Sequence, residues 1–138
     1  MQKLNEKQLR RVIDANFNRA KEGLRVCEDV CRFVLNDGPA SRSFKTLRHQ
    51  LTTMIAKLTI LQLIEARDID GDVGRGSSLS EMKRKHIDDI FFANIQRIKE
   101  SIRVLEEFTK LFNVQRARGL KQIRYKVYAL EKKVAERF

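Results

Sequence analysis

The chain repeats one stretch of its own sequence, and this repeat constrains the fold more than any other feature. Residues 15–28 (ANFNRAKEGLRVCE) and 93–106 (ANIQRIKESIRVLE) are identical at eight of fourteen positions, where average residue usage gives about one match by chance. A second pair of segments, 41–58 and 117–134, aligns with a connection two residues shorter. Two copies of a two-segment unit are too few for a solenoid. The repeat therefore predicts an internal pseudo-two-fold.

The residues kept in both copies are mostly polar and border the apolar face of their helix. They include Asn16/Asn94, Arg19/Arg97, Glu22/Glu100, Arg25/Arg103, Glu28/Glu106 and, in the second segment, Arg48/Arg124. A ladder of salt bridges, each worth a few tenths of a kcal/mol, explains one such stripe. Arginine retained as arginine in both copies favours a bidentate grip on phosphate, and glutamate can orient it or hold a metal. We expect Arg19, Arg48, Arg97 and Arg124 to face one shared polar cleft. The other candidate phosphate- or substrate-binding residues of the stripe are Asn16, Glu22, Asn94 and Glu100.

Composition and periodicity predict an all-α protein, a single domain over residues 1–138. Charged residues make up 34% of the chain and hydrophobic residues 42%, with one proline, a balance typical of helical bundles. Four long helices are expected, joined into an antiparallel four-helix bundle built from a duplicated helical hairpin. Their predicted starts are an Asn5–Gln8 capping box, a Ser41 cap, a Ser78–Glu81 capping box and Ala117, and their predicted ends lie near Asn36, Ala66, Asn113 and Arg137.

The repeat halves, about 5–66 and 79–138, are joined by a loop over 67–78 (RDIDGDVGRGSS) that has no counterpart elsewhere in the chain. A calcium loop is excluded because Val73 and Leu79 occupy the obligatory Gly and Glu positions. Our candidate catalytic residues are Arg67, Asp68 and Asp72, with Gly71 and Gly74 allowing close backbone approach, and Asp68 or Asp72 is the candidate ligand of Mg²⁺. The alternative is a turn in which the aspartates only satisfy backbone N–H groups.

Charge and cysteine content narrow the classes of function. The net charge is +11, but basic residues alternate with acidic ones and no polybasic tail is present. This pattern favours a solvated surface with an anion site over a nucleic-acid groove. Cys27 and Cys31 lie one helical turn apart on the apolar face and are expected to be core residues, because two ligands cannot close a zinc site. No apolar run approaches a membrane span and no signal peptide is evident, so we expect a cytoplasmic protein without a membrane partner.

Several motifs together resemble a known family. The runs RVIDANFNRAKEGLRVCED, LRHQL, ARDIDGDVG, ANIQRIKESIRVLEEF and IRYKVYALE occur in this order between about Arg11 and Glu131. In these runs the chain resembles the small helical hydroxymethylpyrimidine-phosphate kinases of thiamine biosynthesis, a domain also found fused ahead of thiamine-phosphate synthase. The resemblance implies transfer of the γ-phosphate of ATP to hydroxymethylpyrimidine monophosphate, and not to the free alcohol. The implied partners are these two small molecules, with Mg²⁺ expected beside ATP.

Two other functions stay open at this point. A basic helical nucleic-acid-binding protein would bind with a steep salt dependence and would ignore ATP. A regulatory bundle docking on a thiamine-phosphate synthase would show no turnover and would expose an apolar patch. Neither accounts for the loop, and a homo-oligomer is compatible with all three functions. We expect one arginine set for each phosphate-bearing substrate, with the loop supplying the chemistry.

Overall fold

A computed structural model describes residues 3–56 and 60–138, and all of the regular structure in these ranges is helical. The predicted all-α class is therefore confirmed. The α-helices are α1 (Glu6–Asp29), α2 (Gly38–Ala56), α3 (Ile60–Ala66), α4 (Ile87–Thr109) and α5 (Val114–Ala135), and a π-helical turn (Val30–Val34) extends α1. The second predicted helix corresponds to α2 and α3, and its middle, 57–59, lies outside the described residues. No helix within the described ranges is both long and apolar enough to cross a membrane.

The helices pack around one core. α1 contacts α2, α3 and α4, and α5 contacts α2 and α4. α1 and α4 run antiparallel: a Cβ at Gly23 would meet Asn94 O and Ile98, whereas one turn further along α1 the Cys27 thiol donates to Phe91 O at 3.8 Å. Only glycine permits the close crossing at position 23, because a Cβ there would lie 2.7 Å from Ile98 Cγ1.

The core consists of the apolar faces that the helical periodicity predicts. Phe44 and Phe91 meet edge to face with their ring centroids 6.1 Å apart. Cys27 and Cys31 are both fully buried and unpaired, as predicted. Truncating a core side chain of this kind costs about 2–5 kcal/mol. The largest buried side chains come from α1, α2, α3, α4 and α5 alike: Ile13, Leu24, Phe44, Leu51, Ile55, Leu63, Phe91, Ile95, Ile98, Ile102, Leu105 and Leu120.

The helix caps agree with the sequence at α1 and differ at α2. Asn5 Oδ1 accepts from Gln8 N at 2.8 Å and Gln8 Oε1 accepts from Asn5 N at 3.0 Å, which is the predicted capping box. The predicted cap of the second helix, Ser41, is wrong. Asp37 caps α2 by accepting from Ala40 N at 3.0 Å, and Ser41 is buried in the first turn. A carboxylate nearer the end of α1 satisfies the first N–H groups before Ser41 can do so.

The predicted start of the third helix is also wrong. Ser78 Oγ does accept from Glu81 N, at 3.4 Å, but this bond closes only a turn, and α4 begins eight residues after Leu79, at Ile87. The side chains of Leu79 and Met82 are largely exposed, so a helix there would bury little of the apolar surface that stabilises most protein helices. Asp89 provides the actual cap, accepting from the Lys85 and His86 N–H groups at 2.9 and 3.0 Å. These bonds lower the pKa of Asp89 below its usual value.

Matched contacts in the two halves agree with the sequence repeat. Asn16 donates to Val12 O at 2.9 Å and Asn94 donates to Ile90 O at 2.8 Å. Asp37 caps α2 and its counterpart Asn113 caps α5. Superposition of the two halves by rotation stays a prediction, but corresponding side chains make corresponding bonds.

Candidate functional site

A cavity of about 380 Å³ lies where the first half of α1 meets the segment after α3. It brings together residues more than fifty positions apart in sequence, because α3 packs on α1 and delivers the loop to its side. Five of the predicted site residues line it: Asn16, Arg19, Arg67, Asp68 and Asp72. Gln8, Arg11 and Asp14 complete its polar wall.

The strongest contact in the cavity is a bidentate ion pair between the loop and α1. Arg67 Nε donates to Asp14 Oδ2 at 2.7 Å, and Arg67 Nη2 donates to Asp14 Oδ1 at 2.8 Å. Asp14 is 6% exposed, and Asn18 Nδ2 donates to its Oδ1 at 3.2 Å. A buried carboxylate needs such partners. The hydrogen bond to Asp14 raises the pKa of Arg67 above its usual value, so this guanidinium is a fixed positive charge.

The pair fixes the orientation of Arg67 and leaves donor capacity for a ligand. Nε and Nη2 are engaged by Asp14, whereas Nη1 makes no hydrogen bond to the described residues. The side chain of Arg67 is 40% exposed toward the cavity and solvent. A guanidinium held on one edge and open on the other suits a phosphate oxygen.

Arg19 is positioned from the same helix. Its Nη1 donates to Asn16 Oδ1 at 3.4 Å, and Asn16 itself is buried and tied to Val12 O. Asn16 is thus a positioning residue for Arg19. Together with Arg11 and Arg67, Arg19 gives the cavity three guanidinium groups, an arrangement that favours an anion with several oxygens.

The two loop aspartates form turns and still face the cavity. Asp68 Oδ1 accepts from Gly71 N at 2.8 Å, and Asp72 Oδ1 accepts from Gly74 N at 2.9 Å. The backbone-capping alternative is therefore observed, but each aspartate uses only one carboxylate oxygen for it. A Cβ at Gly71 would lie 2.2 Å from Asp68 Oδ2, so any larger residue there would displace the Asp68 carboxylate from its turn, whereas a Cβ at Gly74 would make only ordinary contact with Asp72.

The same aspartates decide whether a metal fits. Within residues 3–56 and 60–138 no group of three His, Cys, Asp or Glu side chains forms a metal cage. Mg²⁺ does not need one, since it is commonly held by one or two carboxylates with water and substrate phosphates. Asp68 and Asp72 line one cavity and each keeps a carboxylate oxygen outside its turn. The cavity therefore fits Mg²⁺ only in the company of a phosphate ligand.

Arg48 and Arg124 do not belong to this cavity, and the predicted single cleft of four arginines is wrong. Arg48 Nη2 lies 3.1 Å from Glu28 Oε2, and Arg124 is hydrogen-bonded to Glu106 through Nε and Nη2. Both glutamates are almost fully buried. The Glu106 hydrogen bond raises the pKa of Arg124 above its usual value. These duplicated arginines neutralise buried carboxylates between neighbouring helices.

The second copy of the polar stripe lies elsewhere on the molecule. Arg97 Nη2 is 4.0 Å from Glu22 Oε2 across the α1–α4 crossing, and Glu100 accepts from Gln96 at 3.0 Å. Because α1 and α4 are antiparallel, Asn94 lies level with Gly23, seven residues from Asn16 or about 10 Å along the helix axis. Of the predicted residues, Glu22, Arg97, Glu100 and Asn94 are absent from the lining of the cavity.

Sequence reasoning missed Asp14, which holds the site together. A signal was present in the repeat itself. With the 78-residue offset, Asp14 corresponds to Phe92, and Arg11 corresponds to Asp89. In the cavity, Arg11 and Asp14, which differ between the copies, meet the loop that occurs once, beside the retained Asn16 and Arg19. The retained residues form mostly the structural contacts of both halves.

Comparison with known proteins identifies relatives of this chain. This chain is 43% identical to a thiamine-phosphate synthase of Nostoc punctiforme over 122 residues, which cover 88% of this chain and 34% of that relative. Thiamine-phosphate synthases of Rhodopirellula baltica (40% identity, 86% of this chain, 32% of the relative) and a Synechocystis species (39%, 95% and 37%) are also similar. The chain spans about a third of the length of these relatives. No solved structure matches it.

The family comparison covers both halves of the repeat and the loop between them. The match extends over residues 11–133 and so includes every residue of the cavity except Gln8. With nearly the whole chain matched, the chain belongs to the ThiD2 family.

Proposed function

We propose that this chain is an ATP-dependent kinase that converts hydroxymethylpyrimidine monophosphate into the diphosphate in thiamine biosynthesis. One observation carries the proposal: three arginines and three aspartates from α1 and the loop line one cavity, and within the described ranges only one of these aspartates, Asp14, is committed to an ion pair, with Arg67. Membership of the ThiD2 family and relatives named thiamine-phosphate synthase support the pathway. The activity of those longer relatives is their own, and this chain matches only a third of their length.

The reaction needs charge and position more than covalent help. A phosphate oxygen of the monophosphate attacks the γ-phosphorus of ATP, and the bond to the β–γ bridging oxygen breaks, so ADP leaves with the electron pair. Negative charge on the transferring group and on the leaving oxygen must be balanced. Arg67, locked by Asp14, and Arg19, positioned by Asn16, are the groups for this role. They cost little reorganisation because their partners already hold them.

The cavity accounts for a preference for the monophosphate over the alcohol. A phosphate monoester has its second pKa near about 6, so its attacking oxygen is already deprotonated at neutral pH. An alcohol must lose a proton as it attacks and so needs a general base, which is commonly a histidine or an aspartate. Neither histidine lines the cavity, since His49 faces a groove between α2 and α5 and His86 precedes α4. Under the proposal Asp68 and Asp72 hold Mg²⁺, so no group is left for this role. The existing phosphate also supplies binding energy that orients the nucleophile.

Asp68 and Asp72 would hold the Mg²⁺ that accompanies ATP. The ion would supply positive charge that offsets the negative charge of the ATP phosphates. The aspartates' part is to keep a carboxylate oxygen presented to the cavity while the other stays tied to Gly71 N or Gly74 N. The turns thereby become the support of the metal site.

The test measures turnover with ATP and either the pyrimidine monophosphate or the free alcohol. It compares the parent protein with variants at two aspartates of the same loop. Asp72→Asn keeps an oxygen that can accept from Gly74 N but loses the charge, so we expect turnover to fall at least about 100-fold. Its free energy of unfolding should change by less than about 1 kcal/mol. Asp70→Asn is the matched control, because Asp70 is 99% exposed and paired with Arg75 outside the cavity. It should retain parental turnover.

The outcomes separate the proposal from its rivals. Diphosphate formation from the monophosphate, little from the alcohol, and selective loss in Asp72→Asn would support it. Equal efficiency on both pyrimidines would contradict the role given to the existing phosphate. No ATP consumption by the parent protein under any condition would favour a binding or regulatory domain.

A further inference from the structure

A second cavity, of about 410 Å³, lies at the opposite end of α1 from the first. It forms where the π-helical turn after α1 meets the start of α2. Arg32 belongs to that turn, Asn36 follows it with a left-handed φ of 51°, and Arg42 and Lys45 project from the first two turns of α2. The wide turn therefore places a basic residue of one element beside two of the next. π-helical turns occur often at functional sites.

The three basic side chains are not consumed by ion pairs. Among the described residues, Arg32, Arg42 and Lys45 have no carboxylate partner. The carboxylates nearby are already engaged: Glu28 with Arg25 and Arg48, and Asp37 with Arg137. Arg42 folds back over Gly38, where a Cβ would lie 3.2 Å from its Nη1. The cavity is thus lined by three cations that form no ion pair with the described residues, and by Glu28, whose carboxylate is shared between Arg25 and Arg48.

Ser41 adds a polar group that points to a ligand. It is 8% exposed, lines this cavity, and its hydroxyl makes no hydrogen bond to the described residues. In those ranges every fully buried side-chain oxygen has a partner, so the Ser41 hydroxyl keeps its access through the cavity. The N-terminus of α2 does not form the site by itself, because Asp37 already caps this helix. The site is formed by the side chains that line the cavity.

The repeat shows that this arrangement is specific to one half. The counterparts of Arg42 and Lys45 are Arg118 and Lys121, which are retained, but Gly38 is replaced by Val114 and Ser41 by Ala117. The second half therefore lacks both the space for the folded-back guanidinium and the hydroxyl. Lys121 instead lies over the Tyr125 ring, 5.9 Å from its centroid.

We infer that this cavity is a second phosphate-binding site, which takes the terminal phosphate of a small phosphorylated molecule. Three cations and a hydroxyl donor match a group that carries about two negative charges at neutral pH and several acceptor oxygens. The site is separate from the proposed catalytic cavity, because Arg19 and Glu28 lie nine residues, or about 14 Å, apart along α1. The inference does not rest on the kinase function.

The test follows backbone amide signals by NMR while inorganic phosphate, and separately pyrophosphate, is added to the full chain without nucleotide. The amide signals of Gly38 and Arg42 should shift and saturate, independently of those of Gly71 and Gly74 at the other cavity. Ser41→Ala should weaken binding at Gly38 about tenfold, which is about 1.4 kcal/mol. Alanine is acceptable there, because Ala117 occupies the equivalent buried position.

Two double variants that remove the same charge test whether phosphate binding depends on the site or only on the net charge of the protein. Arg42→Ala/Lys45→Ala should abolish the saturable shift at Gly38. Arg118→Ala/Lys121→Ala, which removes the same charge from equivalent exposed positions of α5, should leave it within about twofold. Equal losses in both doubles would show that the net charge of +11 attracts anions without a site, and this would overturn the inference. Unchanged binding in Ser41→Ala would overturn it as well.

Discussion

Arginine residues in this chain have two kinds of surroundings, and the difference lies in what each guanidinium contacts. Arg48 and Arg124 neutralise buried glutamates, so their donors are directed into the protein. Arg67 is held by Asp14 on one edge and is open on the other, and Arg19 has one weak bond to Asn16. Sequence retention alone does not separate these cases, because a buried ion pair and a ligand contact both require arginine. Burial and the partner's position separate them.

The structural role of Arg124 predicts a loss of stability without a specific loss of binding. Arg124→Leu leaves Glu106 buried without its main partner, and we expect the free energy of unfolding to fall by about 3 kcal/mol. Arg118→Leu, on the exposed face of the same helix, should change it by less than about 0.5 kcal/mol. Urea unfolding measures both. A stable Arg124→Leu protein with a raised KM for ATP would instead indicate that Arg124 binds a phosphate of the substrate.

The two buried cysteines predict how stability depends on alkaline pH. Burial raises the pKa of Cys31 from 9.0 to about 11 and also raises that of Cys27. The unfolded chain therefore loses its thiol protons first, and it binds fewer protons than the native protein above about pH 9. The stabilising contribution is complete below that pH and is lost as pH rises toward about 11.

Urea midpoints measured at about pH 8 and about pH 10.5 should show this alkaline loss. In a Cys27→Val/Cys31→Val variant, the part of the loss that comes from the thiols should disappear, so its pH dependence should be flatter. Parallel profiles for the two proteins would mean that the thiols ionise equally in the native and unfolded states.

At the scale of elements, the sequence predicts a helix start correctly where neighbouring residues alone determine it. It fails where tertiary packing, or a second possible cap, determines the start. The start of α1 follows from a capping box that needs only Asn5 and Gln8. Ser41 is not the cap of α2, because the π-helical turn ends early enough for α2 to begin at Gly38, where Asp37 caps it. The Ser78–Glu81 pair forms its hydrogen bond, yet no helix follows, because no apolar surface is available to residues 79–85.

The late start of α4 predicts that proline is tolerated before it. Arg84→Pro falls in an irregular, exposed segment, so we expect the free energy of unfolding to change by less than about 1 kcal/mol. Gln96→Pro, on the exposed face of α4, should cost about 3 kcal/mol or more, since it removes a helical hydrogen bond and clashes with the preceding turn. Thermal unfolding of both variants measures these changes in stability. A severe loss in Arg84→Pro would mean that the helix begins near Leu79 after all.

At the scale of the whole molecule, the two halves share matched contacts, and the candidate site adds residues that occur once to residues kept in both copies. The matched ion pairs, Glu28 with Arg48 and Glu106 with Arg124, hold each half in the same way. Asp14 has no acidic counterpart in the second half, and the loop that joins the halves occurs once. Periodicity and the repeat could predict the helical frame. They could not place the loop against α1, because this placement depends on a contact between Arg67 and a carboxylate fifty-three residues earlier.

This asymmetry predicts unequal effects of the same substitution in the two copies. Arg19→Lys keeps the positive charge in the cavity between α1 and the loop but loses the planar fork, and under the proposed function we expect turnover to fall at least about tenfold. Arg97→Lys changes the equivalent residue, which is half-exposed at the helix crossing and makes only a 4.0 Å contact with the largely exposed Glu22. It should retain turnover within about twofold, because exposed ion pairs contribute little. Steady-state rates with ATP and the pyrimidine monophosphate measure both. Equal losses would imply that the two arginine sets act together on the substrates, and the assignment of the chemistry to one end of the bundle would fail.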